Sequence, residues 1–225
     1  DNQFDFAKEN AFPSNSYLSK IIIEEPTNLF NYANLGYQTY YNSQEEIDLI
    51  EKMYFEAYRL GEVATNIAVA EPVFRDADLV SIDVTAVQSS FSGNFMQFNP
   101  NGFNGKEICA LTRYAGISDK VTSFGVFNFN VTSQEAVLIA QMVWYFIEGF
   151  SFRSNEYPFG SKEKYIKYIV PIDEEELVFY KSHISGRWWI EIPFLTNVNN
   201  KLKRITLLPC TNEDYLAACE QEIPE

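Results

Sequence analysis

The stretch "DNQFDF" sets Asp1 and Asp5 four residues apart, with Gln3 between them. A third carboxylate, Asp83, interrupts the apolar run "ADLVSIDVTAV" (77–87), which reads as a strand buried on both faces. In open parallel sheets, ligands gather beyond the carboxyl ends of the strands. Asp83 falls near the end of one such strand, and Asp1 and Asp5 are placed to follow another. Three carboxylates converging there would suit a hard divalent cation (magnesium, calcium or manganese), because such ions take oxygen ligands. An aspartate at a strand end is also a common turn or capping residue, and spacing alone favours that plainer role. A chemically dense segment is unusual at a chain end, since ends fray, so residues 1–5 read as the interior of something longer.

Other catalytic chemistry has little to work with, and no catalytic residue is assigned. The single histidine, His183, would have to serve any Ser-His-Asp or Cys-His machinery, and no nucleophile has an activating context. His183 is expected to be an ordinary surface or half-buried residue. The Asn- and Gly-rich stretch "NPNGFNG" lacks the Lys-Ser pair of a phosphate loop. "DEEE" (173–176) reads as a solvated acidic edge or turn.

Positioning these residues requires strands alternating with helices. "SQEEIDLIEKMYFEAYRLG" (43–61) has helical spacing of Ile47, Ile50, Met53, Tyr54 and Ala57, a Ser43/Glu46 capping box and Gly61 as a stop. After the strand holding Asp83, residues 89–105 form a long Gly-, Asn- and Phe-rich segment that is either functional or tightly packed. A helix over roughly 105–116, a strand near 122–130, and a helix opened by a Thr132/Glu135 box follow. Such alternation argues for a mainly parallel sheet flanked by helices. From about 164 the runs "KYIKYIV", "ELVFYKSH" and "RWWIEIPF" turn β-like, the last two joined through Ile184-Ser185-Gly186 as a hairpin. "KRITLLP" adds a further strand, and a closing helix is capped by Thr211. The expected organisation is one domain over 1–225, with 164–225 as a β-rich tail packed on it.

Composition narrows the partners. With 17 basic and 31 acidic residues the formal charge is −14, which repels nucleic-acid phosphates and anionic membrane surfaces. No apolar run is long enough to span a membrane. The three cysteines have no metal-type spacing and read as reduced thiols, so a cytoplasmic location is expected.

The order and spacing of three motifs resemble the ureohydrolases: arginase, agmatinase and formimidoylglutamase. "DNQFDF" is similar to that family's Asp-Ala-His-x-Asp metal motif. "SIDVTAVQSSFSGNFMQFNPNGFNGKE" resembles its Ser-x-Asp-x-Asp motif with the following loop and helix start, and "VFNFNV" stands where the family has a Glu-x-Asn-Pro strand end. Together they cover roughly residues 1–150. "NLFNYANLGYQTYY", "RYAGISDK", "AQMVWYFIEGF", the "RWW" hairpin and the ending "LLPCTNEDY" resemble a divergent branch found in Bacteroidetes-type bacteria. The resemblance implies an arginase-like α/β fold, a three-layer α/β/α sandwich around a mainly parallel sheet, with a C-terminal β-hairpin extension. It also implies a pair of manganese ions that activate a bridging hydroxide against a guanidino or formimino carbon, and an oligomer.

The ligand set departs from that pattern. Asp1, Asp5 and Asp83 match family metal ligands, but Gln3 replaces the histidine and Thr85 the second aspartate of the third motif. Asn128 replaces a glutamate on the substrate side, and the family's Gly-Gly-Asp-His-Ser motif lies upstream of Asp1, outside this chain. Loss of an outer partner alone costs about 10–100-fold in metal affinity or activity, so loss of direct ligands should cost more. The expected cofactor is therefore none, or one weakly bound divalent cation (manganese or magnesium) on Asp1, Asp5 and Asp83. The expected role is non-catalytic, in binding or assembly as a homo-oligomer or with a protein partner. Trp188 and Trp189 are the interface candidates beside the aromatic loop Phe91–Phe103, one packed inward and one exposed. The alternative is a manganese-dependent hydrolase whose missing ligands come from an upstream segment.

Overall fold

Apolar strands alternating with amphipathic helices generate two parallel strand pairs. The computed structural model describes residues 1–6, 16–24, 29–96, 98–130, 132–156, 158, 161–172, 175–191 and 207–223. A short helix α1 (Tyr17–Ile23) precedes strand β1 (Ala33–Tyr37), and α2 (Gln44–Lys52) leads from it into β2 (Glu56–Arg59), parallel to β1. Then come α3 (Leu60–Thr65), α4 (Ala70–Asp76), β3 (Leu79–Asp83), α5 (Ser89–Ser92), α6 (Gly105–Ile117), β4 (Ser123–Phe127) and α7 (Ser133–Ser151). β4 runs parallel to β3 in unbroken register, from Leu79 opposite Ser123 to Asp83 opposite Phe127. Helices flank these parallel strands, as the alternation demands.

The long helix expected over 43–61 is not one helix. Ser43 and Glu46 do form the expected reciprocal box, but α2 stops at Lys52. Tyr54 takes a left-handed backbone (φ 56°) and is 93% exposed. The apolar residues that extend the helical stripe are used differently: Phe55 and Ala57 pack with Phe4, Tyr37 and Ile50. The backbone of 56–58 pairs with 33–35. Ladder formation, together with burial, outweighs helical periodicity here.

The main core joins α3, α4, β3, α6 and α7 through Val63, Phe74, Val80, Ile82, Leu111, Leu138 and Met142. α6 and α7 cross at close range on two glycines. A Cβ on Gly116 would lie 2.2 Å from the Phe146 carbonyl oxygen, and one on Gly149 would lie 2.4 Å from that of Arg113. The rest of α7 is unusually bare, with Val137, Trp144, Ile147 and Phe150 all exposed.

The C-terminal extension is larger than a hairpin. β5 (Tyr165–Ile172), β6 (Glu175–Ser182), β7 (Trp188–Glu191) and β8 (Leu207–Cys210) form an antiparallel sheet in that order, with α8 (Asn212–Cys219) closing it. The β6–β7 turn passes through Ile184-Ser185-Gly186, where Gly186 has φ 73° and His183 is exposed. Thr211 caps α8 reciprocally with Asp214. Of the acidic run 173–176, residues 173 and 174 lie outside the described residues.

Neither tryptophan faces outward. Trp188 is 5% exposed and stacks on Tyr215 of α8 at 4.7 Å. Trp189 is 2% exposed and meets Tyr165 edge-on at 5.4 Å. Alternation does point them to opposite faces of β7, but both faces are covered, one by α8 and the other by Tyr165, Leu207 and Arg75. The expectation of one exposed tryptophan is therefore corrected. All three cysteines are free thiols.

Candidate metal centre

Residues 1–6 are laid across the end of β1 by amide side chains. Asn42 accepts from the Phe4 N–H (2.9 Å) and donates to the Asn2 (3.2 Å) and Gln38 (2.8 Å) carbonyls. Asn34 donates to the Gln3 carbonyl at 3.1 Å, and the Gln38 N–H donates to the Asn2 carbonyl at 3.0 Å. Phe4 anchors the segment, fully buried against Tyr37 with ring centres 4.9 Å apart. Asn2 then reaches the Thr85 carbonyl (3.2 Å), which also accepts from Asn99 (2.8 Å). The segment is thus tied both to β1 and to the turn that follows β3.

This brings Asp1, Asp5 and Asp83 together: one carboxylate oxygen from each lies within 4.8 Å of the other two. Asp83 ends β3 and is 5% exposed; Asp5 is 8% exposed and has a left-handed backbone, φ 56°. Asn128, just past β4, is also left-handed at φ 54°. Asp and Asn tolerate that region better than other residues with a Cβ. Gln3 lies between the two aspartates, half-buried, and its backbone N–H donates to Asp1 Oδ1 at 3.3 Å.

Two of the three replaced positions, Thr85 and Asn128, serve Asp83. Its Oδ1 accepts from the Thr85 N–H (2.8 Å) and the Thr85 hydroxyl (2.6 Å), and its Oδ2 accepts from the Asn128 amide Nδ2 (2.6 Å). A carboxylate has about four lone-pair directions, so the protein's own donors use three of them. Asp5 lacks comparable relief. Burial, followed by the negative charge of Asp83, pushes its carboxyl up to about 6. Tyr17 is likewise held above the ordinary phenol range by burial, by Tyr32 and by the charges of Asp5 and Asp83.

Spacing and residue type single out the aspartates, and the family resemblance adds Thr85 and Asn128, but neither finds the frame of Asn34, Gln38, Asn42 and Asn99. These asparagines and glutamines sit in stretches that read only as turn-rich. Their signal is their burial, which spacing does not encode. The long segment 89–105 is packed: the Ser89 N–H donates to the Asn99 carbonyl (2.8 Å), and Phe103 is 1% exposed in the core. Phe95, Met96 and Phe98 stay exposed on it.

No protein-family profile matches the chain, and no curated protein matches it. Solved structures do. Formiminoglutamase from Trypanosoma cruzi with Mn2+2 superposes with a TM-score of 0.60 at 16% identity, covering 68% of this chain and 55% of that one. Formimidoylglutamase from Bacillus subtilis gives 0.59 at 15% identity, covering 68% and 52%. The chain has the arginase fold. It spans about half the length of these structures, and identity this low carries the arginase fold without its chemistry. The donor set here fits one hard, oxygen-seeking cation on Asp1, Asp5 and Asp83. It does not fit a manganese pair, which needs several bridging carboxylates together with imidazoles.

Proposed function

We propose that this chain is a non-catalytic arginase-fold module whose carboxylate cluster holds at most one divalent cation, and that it acts by binding or assembly. One observation supports this reading above the others: Thr85 and Asn128 donate to Asp83. Hydrogen bonds thereby occupy acceptor positions that a second metal ion would require. In this arrangement Asp1, Asp5 and the remaining Asp83 lone pair would ligate the cation, which would offset most of the cluster's negative charge and fasten residues 1–6 to the β3 turn. No reaction step is assigned to it. Association into oligomers belongs to the same proposal, with the bare outer face of α7 as its surface in place of the buried tryptophans.

Calorimetric titration with Mn2+ and with Mg2+, beside assays for urea, formamide and ammonia release, tests the reading. The expected result is one site per chain or fewer and no turnover. Two tightly bound ions with turnover would falsify it. Thr85→Val probes the supporting observation directly. Freeing Asp83 Oδ1 from the hydroxyl should raise cation affinity, whereas a Thr85 that ligates the ion itself would show a loss.

A second reading is a manganese-dependent hydrolase of a guanidino or formimino compound, completed by residues outside this chain. It is favoured by the likeness to a formiminoglutamase structure that carries Mn2+2. Turnover by a longer chain containing residues 1–225 separates the two.

A further inference from the structure

The loop between α5 and α6 contains two Asn-Gly pairs, Asn101-Gly102 and Asn104-Gly105. Asparagine followed by glycine is prone to deamidation, because glycine has no Cβ to obstruct ring closure. The two pairs differ in how their carboxamides are held. Asn104 is the N-cap of α6: its Oδ1 accepts from the Glu107 N–H (2.9 Å) and its Nδ2 donates to Glu107 Oε1 (2.7 Å). Both ends of that amide are fixed over the first helical turn. Asn101 is exposed. Its Nδ2 donates to Gln38 Oε1 at 3.0 Å and more weakly to the Tyr40 hydroxyl at 3.4 Å, and among the described residues no hydrogen bond reaches its Oδ1. The Gly102 N–H makes no backbone hydrogen bond among the described residues.

We propose that Asn101 is a site of spontaneous deamidation, and that the capping box protects Asn104 within the same loop. Gly102 is buried, so the step waits on an opening of the loop: its backbone nitrogen then gives up its proton to solvent base and bonds to Asn101 Cγ. The Cγ–Nδ2 bond breaks, ammonia leaves, and a five-membered imide remains. Water then opens the ring at either carbonyl, leaving aspartate or isoaspartate at position 101. Nothing is oxidised or reduced, and water is the only co-reactant.

The modification would not be silent. A carboxylate at 101 faces Gln38 Oε1 acceptor to acceptor, where an amide donor stood. Isoaspartate also adds a main-chain methylene beside Gly102, where even a Cβ would lie 2.4 Å from the Ala86 carbonyl oxygen. Both changes loosen the loop that carries Asn99 to the Thr85 carbonyl. The site thus ages from its wall inward. The chemistry at Asn101 is independent of whether the carboxylates hold a cation.

The test is incubation of the full chain at mildly alkaline pH, followed by peptide mapping and an isoaspartate-specific methyl-transfer assay. Position 101 should convert roughly tenfold faster than 104, whose carboxamide must first leave the cap. Glu107→Ala, which removes the carboxylate that accepts from Asn104 Nδ2 and from the Asn104 N–H and leaves only the bond from the Glu107 N–H, should raise conversion at 104 and leave 101 unchanged. Equal rates at the two positions, conversion at neither, or an indifferent Glu107→Ala would each overturn the proposal. Asn101→Gln, whose longer side chain closes the ring poorly, should abolish the signal at 101; a signal that persists there counts against it.

Discussion

Asp83 and Asp5 sit within 4.8 Å of each other yet face different electrostatic surroundings. Asp83 accepts three hydrogen bonds, while burial and the charge of Asp83 push Asp5 up to about 6. A carboxyl held above its ordinary value of 3.8 binds its proton more tightly folded than unfolded. Asp5 therefore stabilises the fold below about pH 4, and that contribution disappears as pH rises through about 6. The loss should be on the order of 2–3 kcal/mol. In chelator, thermal melts should show stability falling across this window more steeply for the wild type than for Asp5→Asn. Excess Mn2+ should flatten the wild-type slope, because a bound cation takes the place of the proton. Parallel slopes for the two proteins in chelator would mean that Asp5 titrates normally.

At the scale of the element, the capping signals are the most legible part of the sequence. Ser43/Glu46 forms its box and Thr211 caps α8 as the residue types predict, because a cap is decided within four residues. Thr132 accepts from the Glu135 N–H, but the return bond is missing: the Thr132 N–H donates instead to the Asn130 carbonyl at 2.8 Å, and Glu135 is fully buried. The overrun of α2 into β2 fails for a different reason. Apolar spacing over 47–57 suits a helix, whereas the fold buries the same residues through a strand pairing that local sequence does not record. The α6–α7 crossing is equally invisible, since a glycine in a helix reads only as a weak spot. Its role is testable. Gly149→Ala forces a methyl against the Arg113 carbonyl and should cost about 1–3 kcal/mol in denaturant unfolding. Gly61→Ala in α3, where a Cβ meets nothing within 4 Å, should be neutral or gain up to about 1 kcal/mol. If both substitutions behave alike, close approach of the helices is not what Gly149 provides.

For the molecule as a whole, a buried arginine that no motif announces is among the contacts that join the α/β body to the antiparallel sheet. Arg75, on α4, donates from Nη1 to the Trp188 carbonyl (2.8 Å) and from Nη2 to the Cys210 carbonyl (2.9 Å), 113 and 135 residues away. Glu71 pairs with it at 3.0 Å and with Arg187 of the sheet at 3.1 Å. Nothing in the local sequence marks Arg75; which backbone carbonyls it meets is settled by tertiary contact. Arg75→Lys keeps the charge but loses the planar fork that reaches two carbonyls at once. Two buried acceptors would then lose their donors, at about 1–3 kcal/mol each. Because the arginine bonds to β7 and β8 while α6 and α7 have their own core, the damage should be local. Hydrogen exchange should accelerate over 188–191 and 207–210 while 105–117 and 133–151 keep their protection. Uniform acceleration across both regions would instead mean that sheet and body unfold as one cooperative unit, with Arg75 only one contact among many.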